Sequence, residues 1–284
     1  MSWIARGWLP PIAALALSGC EMAVLDPKGD VGMSERSLIL GTTGWMLVVV
    51  IPVIVMTIAF AWWFRASNTR ARYTPEWSHS KRLEAVLWGI PTVIVVVMAI
   101  TAWHSTHALD PYKPLEHPAK PVEVEVVALD WKWLFIYPEQ GIATVNEVAL
   151  PVDVPIAFDV TSDSVMNSFF IPRLGSQIYA MAGMKTQVHL IANAPGTYDG
   201  MSANYSGRGF AGMTFKARAM SQADFDAWVA KVKTAPERLD WTSYPALAEP
   251  SEYNPVAYYG GVVPGLFDGL LEKYRSGHKS HGQE

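Results

Sequence analysis

The sequence predicts a two-helix transmembrane hairpin followed by an all-β sandwich and an aromatic-rich C-terminal extension that contains a helix. Three observations lead there. Two long uncharged apolar runs fall in the first 110 residues. Short β-branched and aromatic runs punctuated by Gly, Pro, Asn and Asp follow them. The remainder is dense in Trp, Tyr, Phe and Pro, with one capped helical stretch near its start. Composition agrees. Of 284 residues, 50% are hydrophobic and only 17% charged, against about 25% charged in soluble domains. The net charge of −4 gives no basic face for nucleic acid. A single cysteine excludes a disulfide framework and any site built on two thiolates.

The first element, residues 1–19, reads as a cleaved signal peptide: Arg6 forms a short positive region and Trp8 to Leu17 an apolar one. It ends in Leu17-Ser18-Gly19-Cys20, which resembles a bacterial lipobox. The resemblance implies lipidation of Cys20, and residues 20–40 then form a lipidated N-terminal segment. The alternative is an unmodified buried cysteine. The hairpin follows over 41–109, with helices at about 41–64 and 85–107. Each is long enough to cross hydrocarbon, and Pro52 inside the first is tolerable in lipid. The loop 65–84 carries Arg65, Arg70, Arg72, Lys81 and Arg82 against Glu76 and Glu84. An excess of Lys and Arg marks the cytoplasmic side, so both chain ends lie outside.

Residues 110–220 form the exported β-domain, entered through the proline-rich stretch Asp110–Pro121. Strands are expected at Val122–Leu129, Trp133–Tyr137, Thr144–Leu150, Ile156–Val160, Thr186–Ile191 and Met213–Ala219. In the extension, 221–275, Ser221 and Asp224 form a capping box ahead of the apolar-periodic Phe225–Val232. Residues 276–284 read as a disordered tail. His104 and His107 share a helix face without further ligands, and His189 reads as a core or surface histidine on a strand.

Three segments give this architecture a family resemblance. They are Lys81-Arg-Leu-Glu84-Ala-Val-Leu-Trp88, Asp130-Trp-Lys-Trp-Leu-Phe-Ile-Tyr137 and Ser164-Val-Met-Asn-Ser-Phe-Phe-Ile-Pro-Arg-Leu-Gly175. With the hairpin and exported β-domain, they resemble subunit II of haem–copper terminal oxidases, whose β-domain is cupredoxin-like. In cytochrome c oxidases of that family two cysteines, two histidines and a methionine hold a dinuclear copper centre. The matching positions here are Asn167 for the first histidine, Ser202 and Ser206 for the cysteines, Phe210 for the second histidine and Met213 for the methionine. Asn204 stands where a glutamate lends its backbone carbonyl. Hydroxyls are hard donors that cannot replace bridging thiolates, so the site is expected to be degenerate and to bind no metal.

The pattern resembles the cytochrome bo type of ubiquinol oxidase, a copper-less relative of cytochrome c oxidase subunit II. The resemblance implies a non-catalytic subunit of a proton-pumping complex that oxidises ubiquinol and reduces O2 to water. This chain would bind no cofactor; haem b, a high-spin haem and copper would sit in subunit I. Partners would be subunit I above all, subunits III and IV, and membrane lipid, but not cytochrome c. The location would be the bacterial inner membrane. Glu84 is expected at a proton-pathway entrance, against pairing with Lys81 or Arg82. Trp131 and Trp133 match the family's aromatic patch, where packing or interface roles are expected without copper. The alternatives are a cytochrome c oxidase subunit II and a non-enzymatic membrane-anchored lipoprotein.

Overall fold

The N-terminal chain is tied to the β-domain before it becomes a membrane helix, and this sets the architecture. The computed structural model describes residues 22–72 and 74–280, with side chains as far as residue 275. The signal peptide and Cys20 lie outside the described residues. Helix α1 spans Asp30–Trp63 and α2 spans Lys81–Ala108. Both are long and apolar enough to cross a membrane. They are exposed along nearly their whole length, as expected of helices whose solvent is lipid or another subunit.

Helix α1 begins eleven residues before the expected 41, within the segment read as lipidated N-terminus. Its first turn is held by protein. Gly32 N–H donates to Leu174 O at 3.0 Å, and Val31 and Gly32 are buried. A Cβ on Gly29 would lie 2.4 Å from Ile191 O, and one on Gly175 would lie 2.7 Å from Val31 Cγ1. Gly175 also has φ +142°, open to glycine alone. Ahead of the helix, Arg173 Nη1 bonds Asp26 Oδ2 at 2.9 Å, and Asn193 N–H donates to Lys28 O at 2.8 Å.

The β-domain is a sandwich. One sheet runs β12-β3-β2-β1-β5-β8 and the other β4-β10-β9-β6-β7. The strands of the first are β1 Val122–Leu129, β2 Lys132–Tyr137, β3 Ile142–Val145, β5 Ile156–Ser162, β8 Thr186–Leu190 and β12 Ala257–Tyr259. Those of the second are β4 Glu147–Pro151, β6 Asn167–Ile171, β7 Gly175–Ala180, β9 Gly196–Ser202 and β10 Thr214–Met220. Between the sheets Trp133, Phe135, Phe158, Phe169 and Phe215 form one aromatic cluster, all 2% exposed or less. Phe169 and Phe215 stack with centroids 5.3 Å apart.

The expected strand Thr144–Leu150 is two strands in different sheets. Asn146 breaks it with φ 57°, a left-handed conformation that asparagine tolerates. Its side chain accepts from Trp133 N–H at 2.8 Å and donates to Asn254 O at 2.9 Å.

Helix α3, Gln222–Lys233, has Ser221 accepting from the Asp224 amide as its cap. The extension continues through β11 Arg238–Leu239, the short α4 Tyr244–Ala248, β13 Gly261–Val262 and α5 Leu266–Ser280. The helix α5 runs five residues into the stretch read as a disordered tail. It covers the outer face of the first sheet, where Leu266, Phe267, Leu270 and Leu271 bury against Val127, Leu129, Leu134 and Ile136.

Candidate functional site

The predicted site residues converge at one end of the sandwich, where β6 begins and β9 leads into β10. Asn167 is wholly buried, Ser202 is 4% exposed and Met213 is 1% exposed. Ser202 Oγ lies 3.0 Å from Asn167 Oδ1 and 3.1 Å from Asn204 O, both acceptors that its hydroxyl faces. Asn167 Nδ2 donates to Val165 O, and Asn204 Nδ2 to Met166 O, each at 3.0 Å. Ser206 Oγ approaches the Met213 thioether at 3.9 Å. Phe210 meets Tyr205 edge-on with centroids 5.5 Å apart. Side-chain amides and hydroxyls therefore cross-link the two loops.

Chemically the cluster offers one soft thioether, two hydroxyls, two amides and a phenyl ring. A dinuclear copper centre needs bridging thiolates and imidazoles, so these residues do not fit one. Among the described residues no three His, Cys, Asp or Glu side chains gather at a possible metal site.

Trp131 and Trp133 differ in burial: Trp133 lies in the core between the sheets, and Trp131 packs against the edge of that same core. Trp131 sits in the β1–β2 turn with φ 68°, and its indole N–H donates to Ser206 O at 2.9 Å. Gly207 and Gly209 press against its ring. Arg208 lies 5.9 Å from the ring centroid and bonds Glu252 at 2.6 Å. Trp133 is wholly buried between Phe169 and Phe215, and its indole nitrogen has no partner. Of the two tryptophans, only Trp131 reaches the surface, where the exposed Tyr205 and Tyr253 stand on neighbouring loops. Glu84 stands apart, exposed in the first turn of α2 with its amide donating to Ser80 O at 2.9 Å.

The extension clamps this end of the domain, which the sequence did not reveal. Asp163, whose side chain is 2% exposed, lies four residues before Asn167 and receives Tyr244 OH and Lys273 Nζ, each at 2.7 Å. Burial and the Asp163 bond hold Tyr244 above the usual phenol range and push Tyr274 up to about 12. On the other side, residues 249–254 cover the second loop. Tyr253 packs on Gly212, Glu252 holds Arg208, and the buried Lys132 donates to Glu249 O and Ser251 Oγ. Burial lowers the Lys132 pKa. Glu147 ties down the rest: Trp228 Nε1 donates to it at 3.2 Å and Tyr258 OH at 2.6 Å.

Known proteins share this two-part construction. Residues 115–220 match the family described as cytochrome c oxidase subunit II, periplasmic domain, and 233–278 match the COX aromatic rich motif. The chain is 59% identical to the cytochrome bo(3) ubiquinol oxidase subunit 2 of Pseudomonas putida, over 97% of this chain and 88% of that one.

The chain belongs to the ubiquinol oxidase subunit 2 family.

Other relatives extend the range. The ubiquinol oxidase subunit 2 of Acetobacter aceti is 59% identical over 93% of this chain and 87% of its own length. A quinol oxidase subunit 2 of Bacillus cereus is 34% identical over 87% and 86%. Membership makes the sandwich a cupredoxin-like domain of the subunit II kind and the region from β11 to α5 its aromatic-rich partner. The two apolar helices and the periplasmic domain describe a membrane-anchored protein.

Proposed function

We propose that this chain is subunit II of a proton-pumping terminal oxidase that takes electrons from ubiquinol and reduces O2 to water. One observation carries the reading: the end of the cupredoxin-like domain that would hold soft metal donors is cross-linked instead by Ser202, Asn167 and Asn204. Without a metal there, the domain offers no electron route from a soluble protein donor, so electrons enter from the lipid phase. The names of its relatives support the same substrate.

In this reading the chain performs no bond chemistry. Haem b, a high-spin haem and copper belong to subunit I, and the hairpin packs on that subunit, with subunits III and IV completing the assembly. The exposed apolar faces of α1 and α2 suit burial against such a partner. The excess of Lys and Arg in the loop 65–84 supports a cytoplasmic loop, with the β-domain in the periplasm of a bacterial inner membrane. Cys20 carries the lipid. Glu84, at the cytoplasmic end of α2, helps form the mouth of a proton pathway; a carboxylate at a helix end in the interface is inexpensive, unlike one at mid-membrane.

The test is purification of the intact complex in mild detergent, with metal analysis and turnover using ubiquinol or ferrocytochrome c. Ubiquinol oxidation without copper on this chain is expected. Rapid ferrocytochrome c oxidation, or a bimetallic copper signal from this chain, overturns the reading. Glu84→Ala is expected to slow turnover and proton delivery with haem content unchanged. Full turnover in the assembled variant would remove Glu84 from the pathway.

A further inference from the structure

Where α1 and α2 reach the β-domain, a groove with two connected parts is left open. The lower part, about 410 Å3, lies between the helix ends and is lined by Leu38, Ser105 and Thr106. The upper part, about 300 Å3, is walled by Val31, Asp110, Lys113, Glu116 and His189. Leu109, Pro111 and Ser176 border both. Sequence fixes its depth. On α1 the charges end at Arg36 and the chain is uncharged from Ser37 to Phe64; α2 ends at Ala108. The lower part therefore sits at the edge of the hydrocarbon and the upper part at the level of lipid head groups.

The upper part carries both signs of charge. Lys113 is its cation, and Asp110, Glu116 and, just below, Glu35 are its acids. Two of the acids are already engaged: Asp110 accepts from Tyr112 N–H at 3.0 Å, and Glu35 from Ser176 Oγ at 2.6 Å. Glu116 stands exposed on the linker beside Lys113. His189 fixes a further acceptor. Its Nδ1 lies 3.0 Å from Pro111 O, and a carbonyl only accepts, so Nδ1 carries the hydrogen. In the neutral ring Nε2 then holds a lone pair.

We propose that this groove seats a phospholipid whose head group carries a primary amine, such as phosphatidylethanolamine. Lys113 meets the phosphate, Glu116 and His189 Nε2 accept from the ammonium, and the acyl chains descend past Leu38 and Thr106. A quaternary choline has no N–H to donate to Nε2. An anionic glycerol head group meets a surplus of carboxylates. The inference rests on the hairpin crossing a membrane and not on what the complex oxidises.

The test is native mass spectrometry of the full chain, with its co-purifying subunits, in mild detergent. Palmitoyl-oleoyl phosphatidylethanolamine, phosphatidylcholine and phosphatidylglycerol are added in equal amounts. Selective retention of phosphatidylethanolamine is expected. Lys113→Gln and Glu116→Gln should each weaken it about tenfold, the loss of one charge-assisted hydrogen bond. His189→Phe should erase the preference over phosphatidylcholine. Should that variant not fold, the two exposed linker variants still decide. Equal retention of the three lipids, unchanged retention in the Lys113→Gln/Glu116→Gln double variant, or a lipid-free groove cross-linked at Lys113 to another subunit overturns the proposal. Quinol turnover measured alongside separates such a failure from failure of the oxidase reading.

Discussion

Replacing Glu147 by Ala should unlock the aromatic-rich extension from the sandwich. One carboxylate oxygen, Oε1, receives the Trp228 indole at 3.2 Å and the Tyr258 hydroxyl at 2.6 Å, with Arg218 Nη1 at 3.6 Å. The Glu147 side chain is only 10% exposed and Trp228 only 6%, so water cannot replace it at the indole. Burial and the Glu147 bond push the Tyr258 hydroxyl up to about 12. A hydrogen bond to a charged group contributes about 1.5–3 kcal/mol, and breaking a buried network costs about 3–5 kcal/mol. Tyr258 is half-buried and can partly rehydrate. The expected cost is thus about 3–4 kcal/mol, on the order of a few hundredfold in the unfolding equilibrium. The assay is denaturant unfolding of the full chain in detergent, followed by tryptophan fluorescence. A double-mutant cycle with Tyr258→Phe isolates the pair and should show coupling above about 1 kcal/mol. A Glu147→Ala loss below 1 kcal/mol, or strict additivity with Tyr258→Phe, would refute the reasoning.

Three further outcomes are expected. In Gly200→Ala the new Cβ would meet Phe215 Cζ at 2.1 Å, and that ring is stacked on Phe169 with nowhere to withdraw; thermal unfolding should show a loss of about 3 kcal/mol, the upper end of overpacking. In Gly29→Ala the obstacle is backbone, the Ile191 and Leu174 carbonyls, so the first turn of α1 should detach, and the Gly32 amide should exchange faster with deuterium. Stability should also fall with rising pH through Glu125, whose carboxyl burial raises from 4.5 to about 7, helped by Asp268, Asp159 and Glu123. The folded state holds a proton that the unfolded state has lost, so the contribution declines between those two values. The group is partly exposed, so solvent screening cuts the loss to about 1–2 kcal/mol. Glu125→Gln should flatten that part of the profile and melt higher at pH 8; an unchanged difference between pH 5 and pH 8 would contradict it.

The elements that could be read from sequence were those whose pattern is local. Strand β1 falls on its expected residues because Val122, Val124 and Val126 alternate with Glu123 and Glu125 before the apolar run Val126–Leu129. The cap of α3 was visible because Ser221 and Asp224 sit at the spacing a helix start requires. The two apolar helices announced themselves by length, but the start of α1 did not. Its polar first turns are stabilised by contact with β7 and the residues around Leu174, far away in the chain.

Strands β6, β7 and β9 went unread for a related reason. Each carries Gly, Asn, Asp or Gln, residues disfavoured in isolated strands and tolerated here by packing. In β9 the alternation of Tyr198, Gly200 and Ser202 on the buried side was available as a signal. Helix α5 was obscured by Gly269, although Leu266, Phe267, Leu270 and Leu271 recur at helical spacing. For the site, the motif pattern named Asn167, Ser202 and Met213, which lie at one end of the sandwich. It could not reveal Asp163, Glu147 or Lys132, since their partners lie about 80 to 120 residues away in the chain.

The seamless passage from sandwich into α1 makes the two a single lever. The helix of 34 residues is roughly 50 Å long, and its upper end is gripped at Gly29 and Gly32 by the backbone of the β-domain. Rocking the domain by roughly five degrees would sweep the far, loop-bearing end through about 4 Å. A push delivered on one side of the bilayer is thereby felt on the other as a sideways step, less whatever bend the helix takes up at Pro52.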